Sequence, residues 1–313
     1  MKRAKVAVIG AGNVGATVAS QLVAREVADV VLVDVIEGLP QGKALDLAEA
    51  TPVEGRSADV TGSNDYAAIG GADAVVITAG IARKPGMSRD DLLATNAGIV
   101  RSAAAEVKAR ASGAFVLVVT NPLDVMTWLA WKVTGFPRER VCGMAGVLDS
   151  TRFAYFVSRE LKVAARDVQA MVLGGHGDTM VPLPRMTTVS GIPITDLLSA
   201  DSIAKLVART RDGGAEIVAL LKQGSAFCAP GASAAAMVES FVRDEKRLMP
   251  GAAILDGEFG EHEVCLGVPV VIGTGGVERV VELKLTNEEK EALRRSADAV
   301  RAGIRTLSER GLL

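Results

Sequence analysis

The fold of this chain is decided by residues 5–15, which read Lys5-Val6-Ala7-Val8-Ile9-Gly10-Ala11-Gly12-Asn13-Val14-Gly15. The first five residues form a run rich in valine and isoleucine, which is typical of a strand buried on both faces. Three glycines follow with G-x-G-x-x-G spacing, and a helical pattern continues over residues 16–25. This order predicts a dinucleotide-binding turn, because the glycines permit a tight turn and a close approach of the pyrophosphate. The helix N-terminus would offer free N–H groups to the phosphates.

The second predicted strand, residues 30–33, ends at Asp34, nineteen residues past Gly15. An acidic side chain at this distance is placed to bind the ribose hydroxyls. It would repel a 2′-phosphate, and the next two residues, Val35 and Ile36, supply no cation. We therefore expect NAD rather than NADP as the cofactor. The alternative is an aspartate that only closes its strand.

Strands and helices continue to alternate up to residue 145. Further strands are predicted at residues 57–60, 73–78, 115–119 and 141–143, and helices at residues 38–50 and 88–110. Strands with helical crossovers predict a doubly wound (Rossmann) parallel sheet, in which cofactors lie at the carboxyl edge. The fold class is therefore α/β, with an NAD-binding domain over residues 1–145 and an α+β catalytic domain over residues 146–313. The candidate cofactor-binding residues are Gly10, Gly12, Asn13, Val14, Gly15, Asp34, Thr78, Ala79, Gly80, Asn96, Val119 and Asn121.

The second half has a less regular pattern. A strand is predicted at residues 168–173, a strand-like segment at 179–189, and hairpins at 252–285 around Gly257, Gly260 and Gly267. Helices are predicted from Asp149 to about residue 161, at residues 201–222 with a possible kink at Gly213-Gly214, and from the segment 224–233 to about residue 247. The last helix would begin at a cap formed by Thr286.

The composition excludes several classes of protein. The 313 residues are 49% apolar and 23% charged, which is the globular range, and the net charge of −2 argues against a nucleic-acid or anionic-membrane surface. No run approaches 18 apolar residues, and the first apolar run is too short for a signal peptide. Cys142, Cys228 and Cys265 lack metal-ligand spacing, so we expect buried thiols in a reducing compartment, no metal and a cytoplasmic location.

His176 is one of only two histidines, and it lies in Gly174-Gly175-His176-Gly177-Asp178 at the end of the predicted strand. A histidine can donate and accept protons near neutral pH, although a structural histidine in a turn is the simpler interpretation. His262, between two glutamates, is interpreted as a surface residue.

Three further segments allow two interpretations each. Residues 81–89 carry Arg83, Lys84 and Arg89 around a Pro-Gly turn, which fits either a solvated loop or a mobile loop that closes over an anion. Asp149 and Arg152 are spaced for an i,i+3 surface salt bridge or for separate partners, namely His176 and a carboxylate. The Asn121-Pro122 bond is compatible with either isomer.

These segments resemble the lactate and malate dehydrogenase superfamily, and in detail its lactate-dehydrogenase-like bacterial malate dehydrogenases. The resemblance rests on residues 10–15, 82–89, 121–122, 149–152 and 174–178, in that order along the chain. It implies that His176 is the acid/base and that Asp149 orients it. It also implies that Arg152 binds the substrate carboxylate, Arg89 polarises the carbonyl, and Asn121 hydrogen-bonds the carbonyl oxygen or the nicotinamide region.

The resemblance makes Arg83 the residue that selects the substrate. Malate enzymes of the family carry arginine at this loop position and lactate enzymes carry glutamine, so Arg83 implies a dicarboxylate, malate or oxaloacetate. Two alternatives remain, a dehydrogenase for lactate or another monocarboxylic 2-hydroxy acid, and an NAD-binding module without turnover. A homodimer or a homotetramer is expected.

Overall fold

The structure, a computed structural model, describes residues 3–82 and 87–313 of the chain. In the first half, strands and helices alternate as the sequence predicts. They are β1 (Lys5–Ile9), α1 (Asn13–Ala24), β2 (Asp29–Val33), α2 (Leu39–Ala50), β3 (Val60–Ser63), β4 (Ala74–Ile77), α3 (Arg89–Arg110), β5 (Phe115–Val118), α4 (Leu123–Thr134) and β6 (Val141–Gly143).

These strands form a parallel sheet in the order β3-β2-β1-β4-β5-β6. The strand order reverses between β1 and β4, where Ile9 pairs with Ile77 at the carboxyl end of both strands. In a doubly wound sheet this reversal opens the crevice that binds ligands. The predicted fold class is confirmed, and the crevice lies directly beside Gly10 and Thr78.

One strand of this half is displaced from its prediction. We expected a strand at residues 57–60, but β3 begins at Val60, which pairs with Val30 of β2. The backbone N–H of Ser57 instead donates to the Glu26 carboxylate at 3.2 Å, and the Ser57 hydroxyl donates to the same oxygen. The chain therefore begins to pair with β2 only after this contact, at Val60.

The second half adds helices and shorter strands. They are α5 (Ala145–Leu161), β7 (Val168–Gln169), β8 (Val172–Leu173), β9 (Val181–Pro182), β10 (Thr188–Val189), β11 (Ile192–Pro193), α6 (Ile194–Leu197), α7 (Ala200–Leu221), α8 (Cys228–Val242), β12 (Arg247–Asp256), β13 (His262–Gly273), β14 (Gly276–Val280) and α9 (Asn287–Glu309). The Thr286 side chain caps α9 as predicted, in a reciprocal capping box with Glu289.

The long hairpin of the second half continues the sheet of the first half. Strand β12 pairs antiparallel with β6, with Ala253 opposite Cys142, and β13 and β14 follow outward. Among the described residues the result is one mixed sheet of nine strands. The loop that carries His176 packs against this extension, because Gly174 forms an isolated bridge with Gly267 of β13.

Two strand predictions in this half are wrong. Residues 168–173 do not form one strand, because β7 pairs with β10 while β8 pairs with β9 in a different sheet. Residues 179–189 are strand only at β9 and β10, since Pro184 begins a 3₁₀ turn that ends at Met186.

The predicted end of one helix and one predicted turn are also wrong. The helix expected to reach residue 247 ends at Val242, and the positive φ angles of Asp244 (53°) and Lys246 (55°) form the turn into β12. Gly267 lies within β13 rather than in a hairpin turn, opposite Ala252. Helix α7, in contrast, runs without interruption through Gly213-Gly214.

The main hydrophobic core extends through both halves of the molecule. It includes Val8, Leu32 and Phe115 from the parallel strands and Leu266 and Val300 from the second half, all at most 6% exposed. A smaller cluster joins Phe153 of α5, Leu206 of α7 and Val189 of β10. Burial of such side chains contributes about 1.5–3 kcal/mol each. Of the helices in the described ranges, none combines the length and apolarity needed to cross a bilayer.

The cysteine prediction holds for two of the three residues. Cys142 and Cys265 are buried, and burial raises the pKa of the Cys142 thiol to about 12. Cys228 is exposed at the start of α8, so the expectation of a buried thiol is wrong there. The helix presents its first residue to solvent, which the local sequence does not indicate.

Candidate active site

The glycine-rich turn forms the floor of the crevice. Gly10 has a φ of +105°, and a Cβ atom there would lie 2.6 Å from the Ala79 nitrogen. A Cβ on Gly15 would lie 1.9 Å from the Gly10 carbonyl oxygen, whereas a Cβ on Gly12 would meet nothing within 4 Å. Gly12 is the N-cap of α1, so no side chain caps the first N–H groups of the helix, and the first helical residues line a cavity. This cradle fits a pyrophosphate.

Asp34 lies at the end of β2, where the sequence places it. Its Oδ2 accepts a hydrogen bond from the Ala11 N–H at 2.7 Å, and its Oδ1 accepts one from the Ile36 N–H at 3.0 Å. The carboxylate is therefore tied to the glycine-rich turn but remains partly exposed. It borders a cavity of about 550 Å³ that Gly10, Gly12 and Thr78 also line. The carboxylate and this cavity fit the adenosine half of a dinucleotide.

The remaining cofactor candidates lie along the carboxyl edge of the sheet. Thr78 and Gly80 line the same cavity, and Val119 and Asn121 line a second cavity of about 390 Å³ together with Asn13, Val14 and Gly15. Ala79 lines the first cavity, where Thr120 Oγ1 donates to its carbonyl oxygen at 2.7 Å. The Asn121-Pro122 bond is cis.

Asn96 occupies a different position from the other candidates. It is 1% exposed, its Oδ1 accepts from the Ile81 N–H at 2.8 Å, and its Nδ2 donates to the carbonyl oxygens of Ile81 and Asn121. Its amide groups therefore bind the backbone of the two loops that border the crevice. Any effect of Asn96 on the cofactor would act through those loops.

His176 and Asp149 come together although they are 27 residues apart in the chain. His176 Nδ1 lies 2.9 Å from Asp149 Oδ2, and the Asp149 side chain is only 2% exposed. With Asp149 ionised, Nδ1 carries a proton and Nε2 is the remaining ring nitrogen. Burial disfavours the charged ring, but the charge and hydrogen bond of Asp149, together with the charge of Asp124, outweigh it and raise the pKa of His176.

Arg152 lies against the other oxygen of the same carboxylate. Its Nη1 is 3.5 Å from Asp149 Oδ1, and its side chain is 12% exposed. Among the described residues its buried Nε has no hydrogen-bond partner. Burial lowers the pKa of Arg152, and Asp149 opposes this effect, but an arginine stays charged in any case. A buried guanidinium with a free donor fits an anionic ligand.

Arg89 is the first residue of α3, and it lines a third cavity that His176 also lines. This cavity has about 530 Å³ and is lined by Arg89, Asn121, Asp124, His176 and Asp178, among others. The Arg89 side chain is 79% exposed and pairs with Asp178 at 2.9 Å. The structure thus brings Arg89 to the border of the site, where an exposed ion pair holds it.

Arg83 lies outside the described residues, as do Lys84, Pro85 and Gly86. The substrate-selecting role expected of Arg83 therefore stays a prediction. His262 is exposed at the start of β13, in agreement with its interpretation as a surface residue.

Two residues that hold the His176 loop, Asp124 and Ser296, have no recognisable signal in the sequence. Asp124 Oδ2 accepts the His176 N–H at 2.8 Å, and Ser296 Oγ accepts the Gly175 N–H at 2.7 Å. An aspartate in the first turn of a helix usually only complements the helix dipole, so Asp124 gave no distinct signal. Ser296 lies within the amphipathic pattern of α9, where nothing indicates its partner.

Comparison with known proteins relates both halves of the chain to one family. The NAD-binding domain model of lactate/malate dehydrogenases matches residues 4–143, and the α/β C-terminal domain model of the same family matches residues 146–310. The chain belongs to the lactate/malate dehydrogenase family. It is accordingly an oxidoreductase with NAD as its cofactor, as the glycine-rich turn and Asp34 predict.

Individual family members are similar over nearly their whole length. A malate dehydrogenase from Desulforudis audaxviator is 55% identical over 307 residues, which cover 98% of this chain and 99% of that protein. The crystal structure of malate dehydrogenase from Cryptosporidium parvum has a TM-score of 0.96 at 43% identity, covering 98% and 99% of the two chains. A lactate dehydrogenase from Cryptosporidium parvum, solved with lactic acid and nicotinamide adenine dinucleotide, has a TM-score of 0.95 at 42% identity, with coverage of 98% and 99%.

Proposed function

We propose that this chain catalyses the reversible, NAD-dependent interconversion of (S)-malate and oxaloacetate. The observation that carries the proposal is the 2.9 Å contact between His176 Nδ1 and Asp149 Oδ2, with Arg152 against the other carboxylate oxygen. An oriented imidazole beside a buried cation is what proton exchange with a bound 2-oxo acid requires. The malate dehydrogenases among its relatives support the choice of substrate.

Arg152 binds the carboxylate next to the reacting carbon in this proposal. The planar guanidinium can form two parallel hydrogen bonds with a carboxylate. Its Nε, which is buried without a partner among the described residues, would gain an acceptor. Binding of the carboxylate would give Arg152 Nε a partner. This favours the bound state, because a buried donor left without a partner costs about 1–3 kcal/mol.

His176 exchanges the proton at the substrate oxygen. NADH, when bound along the crevice, supplies the hydride for the carbonyl carbon. His176 Nε2 gives its proton to the carbonyl oxygen during reduction and takes it back during oxidation of malate. Asp149 keeps Nδ1 protonated and stabilises the charged ring, which is the role of an aspartate that orients a catalytic histidine.

Arg89 and Asn121 act on the substrate oxygen from the other side. Arg89 must leave Asp178 to reach the carbonyl, and this exchange costs little because the pair is largely exposed. Once the site is closed to water, the same cation stabilises negative charge on the oxygen much more strongly. Asn121 borders both the cofactor cavity and the substrate cavity, so its amide is placed to bind the carbonyl oxygen or the nicotinamide region.

Arg83 would pair with the second carboxylate of oxaloacetate when the loop 81–89 closes. Pyruvate would leave this arginine unpaired, which is costly in a closed site. A lactate dehydrogenase is the second candidate, because lactate and malate dehydrogenases of similar identity share this fold. The two candidate activities therefore share one fold, and they differ in whether the substrate has a second carboxylate to pair with Arg83.

The deciding experiment follows NADH absorbance with the purified protein and compares oxaloacetate with pyruvate at equal concentrations. We expect a preference of several hundredfold for oxaloacetate. A preference for pyruvate would favour the lactate assignment, and NAD binding without turnover of either substrate would favour a non-catalytic module.

Three further features belong to the same proposal. A division into an NAD-binding and a catalytic domain near residue 145 is supported by the two family models, which end and begin at residues 143 and 146. The family resemblance supports a homodimer or homotetramer, which light scattering would distinguish. It also supports a cytoplasmic location, which fractionation of the source cells would test.

A further inference from the structure

The loop that carries His176 is held by three consecutive backbone N–H groups, each bound by a different element. The Gly174 N–H donates to the carbonyl oxygen of Gly267 in β13 at 2.8 Å, and the Gly175 N–H donates to Ser296 Oγ in α9 at 2.7 Å. The His176 N–H donates to Asp124 Oδ2 in α4 at 2.8 Å. Two of these acceptors are neutral, and only Asp124 is ionisable.

The charge of Asp124 is not needed to hold the loop. The Ser296 hydroxyl performs the same task for the neighbouring amide, so a neutral acceptor is sufficient for the backbone contact. An ionised carboxylate is expensive to bury, and Asp124 is only 5% exposed. In addition, Asp124 Oδ1 has no hydrogen-bond partner among the described residues. A buried carboxylate that is only half satisfied indicates a second role.

That second role is electrostatic. Asp124 binds the backbone N–H of His176, and the imidazole of His176 is the group that gains charge. We propose that Asp124 is a positioning residue that also sets the charge state of His176, so that its carboxylate fixes the loop while its negative charge stabilises the imidazolium. This inference rests on the acid/base role proposed for His176. Asp149 and Asp124 then act on the histidine from different sides, one through the ring and one through the backbone.

The charged groups around Asp124 determine how the pair titrates. Asp149 lies beyond the imidazole and repels the Asp124 charge, while His176 favours it. On the side of β13 the neighbour is Cys265, whose thiol stays neutral because burial raises its pKa well above the usual value. Helix α9 borders the third cavity, which Asp124 and His176 line, with uncharged residues such as Val300 and Thr306.

Arg152, which pairs with Asp149, opposes the rise in the pKa of His176, and the more distant charges that line the cavity in the described part of the chain are paired. Arg89 pairs with Asp178 at the cavity wall, and Asp90 pairs with Arg310. Burial raises the pKa of Asp124 to about 6, against the opposing effect of the His176 N–H. The pKa of His176 is raised above its ordinary value, so His176 titrates above Asp124, and the two groups are coupled.

Nuclear magnetic resonance of the histidine ring tests this inference directly, because the chain has only two histidines. The substitution His262→Asn removes the exposed one and leaves His176 as the single signal in protein labelled with ¹³C at the histidine ring. In this background we expect the His176 titration to have two steps, one of them near pH 6 from Asp124. The additional change Asp124→Asn should leave one step, with its midpoint lowered by about 1 pH unit.

Ser296→Ala is the matched control, because it removes an anchor of the same loop without changing the charge. We expect it to reduce activity while the two-step titration and its midpoints persist. A shift of the same size in Ser296→Ala and Asp124→Asn would reduce Asp124 to a structural anchor and overturn the proposal. Should Asp124→Asn fail to fold, a single-step titration in the His262→Asn protein would overturn it equally.

The oxidation of malate by the His262→Asn protein separates this inference from the proposed function. If that protein turns over malate but its His176 titration is unaffected by Asp124→Asn, the inference fails and the function stands. If it binds NAD without turnover, the proposed function fails, whereas the titration still reports whether Asp124 controls the charge of His176.

Discussion

His176 Nδ1 lies 2.9 Å from Asp149 Oδ2, and this contact connects the loop after β8 to the second turn of α5. The Asp149 carboxylate is also 3.5 Å from Arg152 Nη1, so one buried anion serves an imidazole and a guanidinium. The imidazole is thereby held in one orientation, and its charged form is stabilised.

Asp149→Asn should lower kcat for oxaloacetate reduction about 10²- to 10⁴-fold. The amide would no longer stabilise the imidazolium, and it could present its NH₂ group to Nδ1 and reverse the tautomer. Steady-state kinetics with NADH measure the effect. Asp196→Asn, on the exposed surface of α6, is the control and should retain the parent rate. Equal rates for Asp149→Asn and the parent would exclude Asp149 from the acid/base pair.

The two directions of the reaction should depend on pH in opposite ways. Reduction requires protonated His176, whose pKa is raised above its ordinary value of about 6.5 by Asp149 and, to a smaller extent, by Asp124. The kcat/KM for oxaloacetate should therefore be constant at low pH and fall about tenfold per pH unit above that raised pKa. The kcat/KM for malate should rise over the same range. Profiles measured in both directions with one enzyme preparation would reveal whether a single group controls them.

Arg83→Gln should remove roughly 3–5 kcal/mol of preference for oxaloacetate over pyruvate, by analogy with breaking a buried ion pair. The ratio of the two kcat/KM values measures the preference. Arg279→Gln, an equivalent change on the exposed part of β14, should leave the ratio unchanged. A mutant that still strongly prefers oxaloacetate would mean that another cation binds the second carboxylate.

Asp34→Ser should weaken NADH binding about 10- to 100-fold, since hydrogen bonds to a charged group contribute about 1.5–3 kcal/mol. It should also improve the relative binding of NADPH, because the 2′-phosphate would no longer face a carboxylate. Fluorescence titration with both cofactors measures the change. The control Asp59→Ser alters an exposed aspartate just before β3. A preference unchanged by Asp34→Ser would leave Asp34 with only its contacts to the backbone N–H groups of Ala11 and Ile36.

Gly267→Ala should destabilise the protein by about 1–3 kcal/mol and lower activity. The new Cβ would lie 2.3 Å from the Gly174 carbonyl oxygen, so it would push the His176 loop away from β13. Urea unfolding and malate oxidation measure the two effects. Gly42→Ala in α2 is the matched control. Its Cβ meets nothing within 4 Å, and we expect it to stabilise the helix by about 0.5–1 kcal/mol. Full activity in Gly267→Ala would show that the bridge does not position His176.

The first half of the fold could be predicted because its signals are local. The glycines from Gly10 to Gly15 and the position of Asp34 follow from fixed spacings within one β–α–β unit. The apolar runs of β1, β4 and β5 are buried on both faces, so they required no knowledge of their partners. The bounds of β3 were misplaced, and helix α4, which carries Asp124, was not predicted.

The second half was harder to predict because its short strands depend on distant partners. Strands β7 and β8 contain two residues each, and they belong to different sheets although their residues form one apolar run. Gly267 resembles a turn glycine but lies in β13, where its missing side chain admits the Gly174 carbonyl group. Neither arrangement has a periodic signal in the sequence.

The doubly wound fold and the preference for NAD followed from the sequence, because they depend on residue types at fixed short spacings that act through local backbone geometry. His176 became the candidate acid/base only through the resemblance of its segment to the family. Three features became visible only in the folded chain: Asp149 reaches the ring of His176, Arg152 is buried with an Nε that has no partner among the described residues, and Asp124 holds the His176 backbone. These contacts join residues up to 52 positions apart, and the packing of α4, α5 and the loop after β8 brings them together.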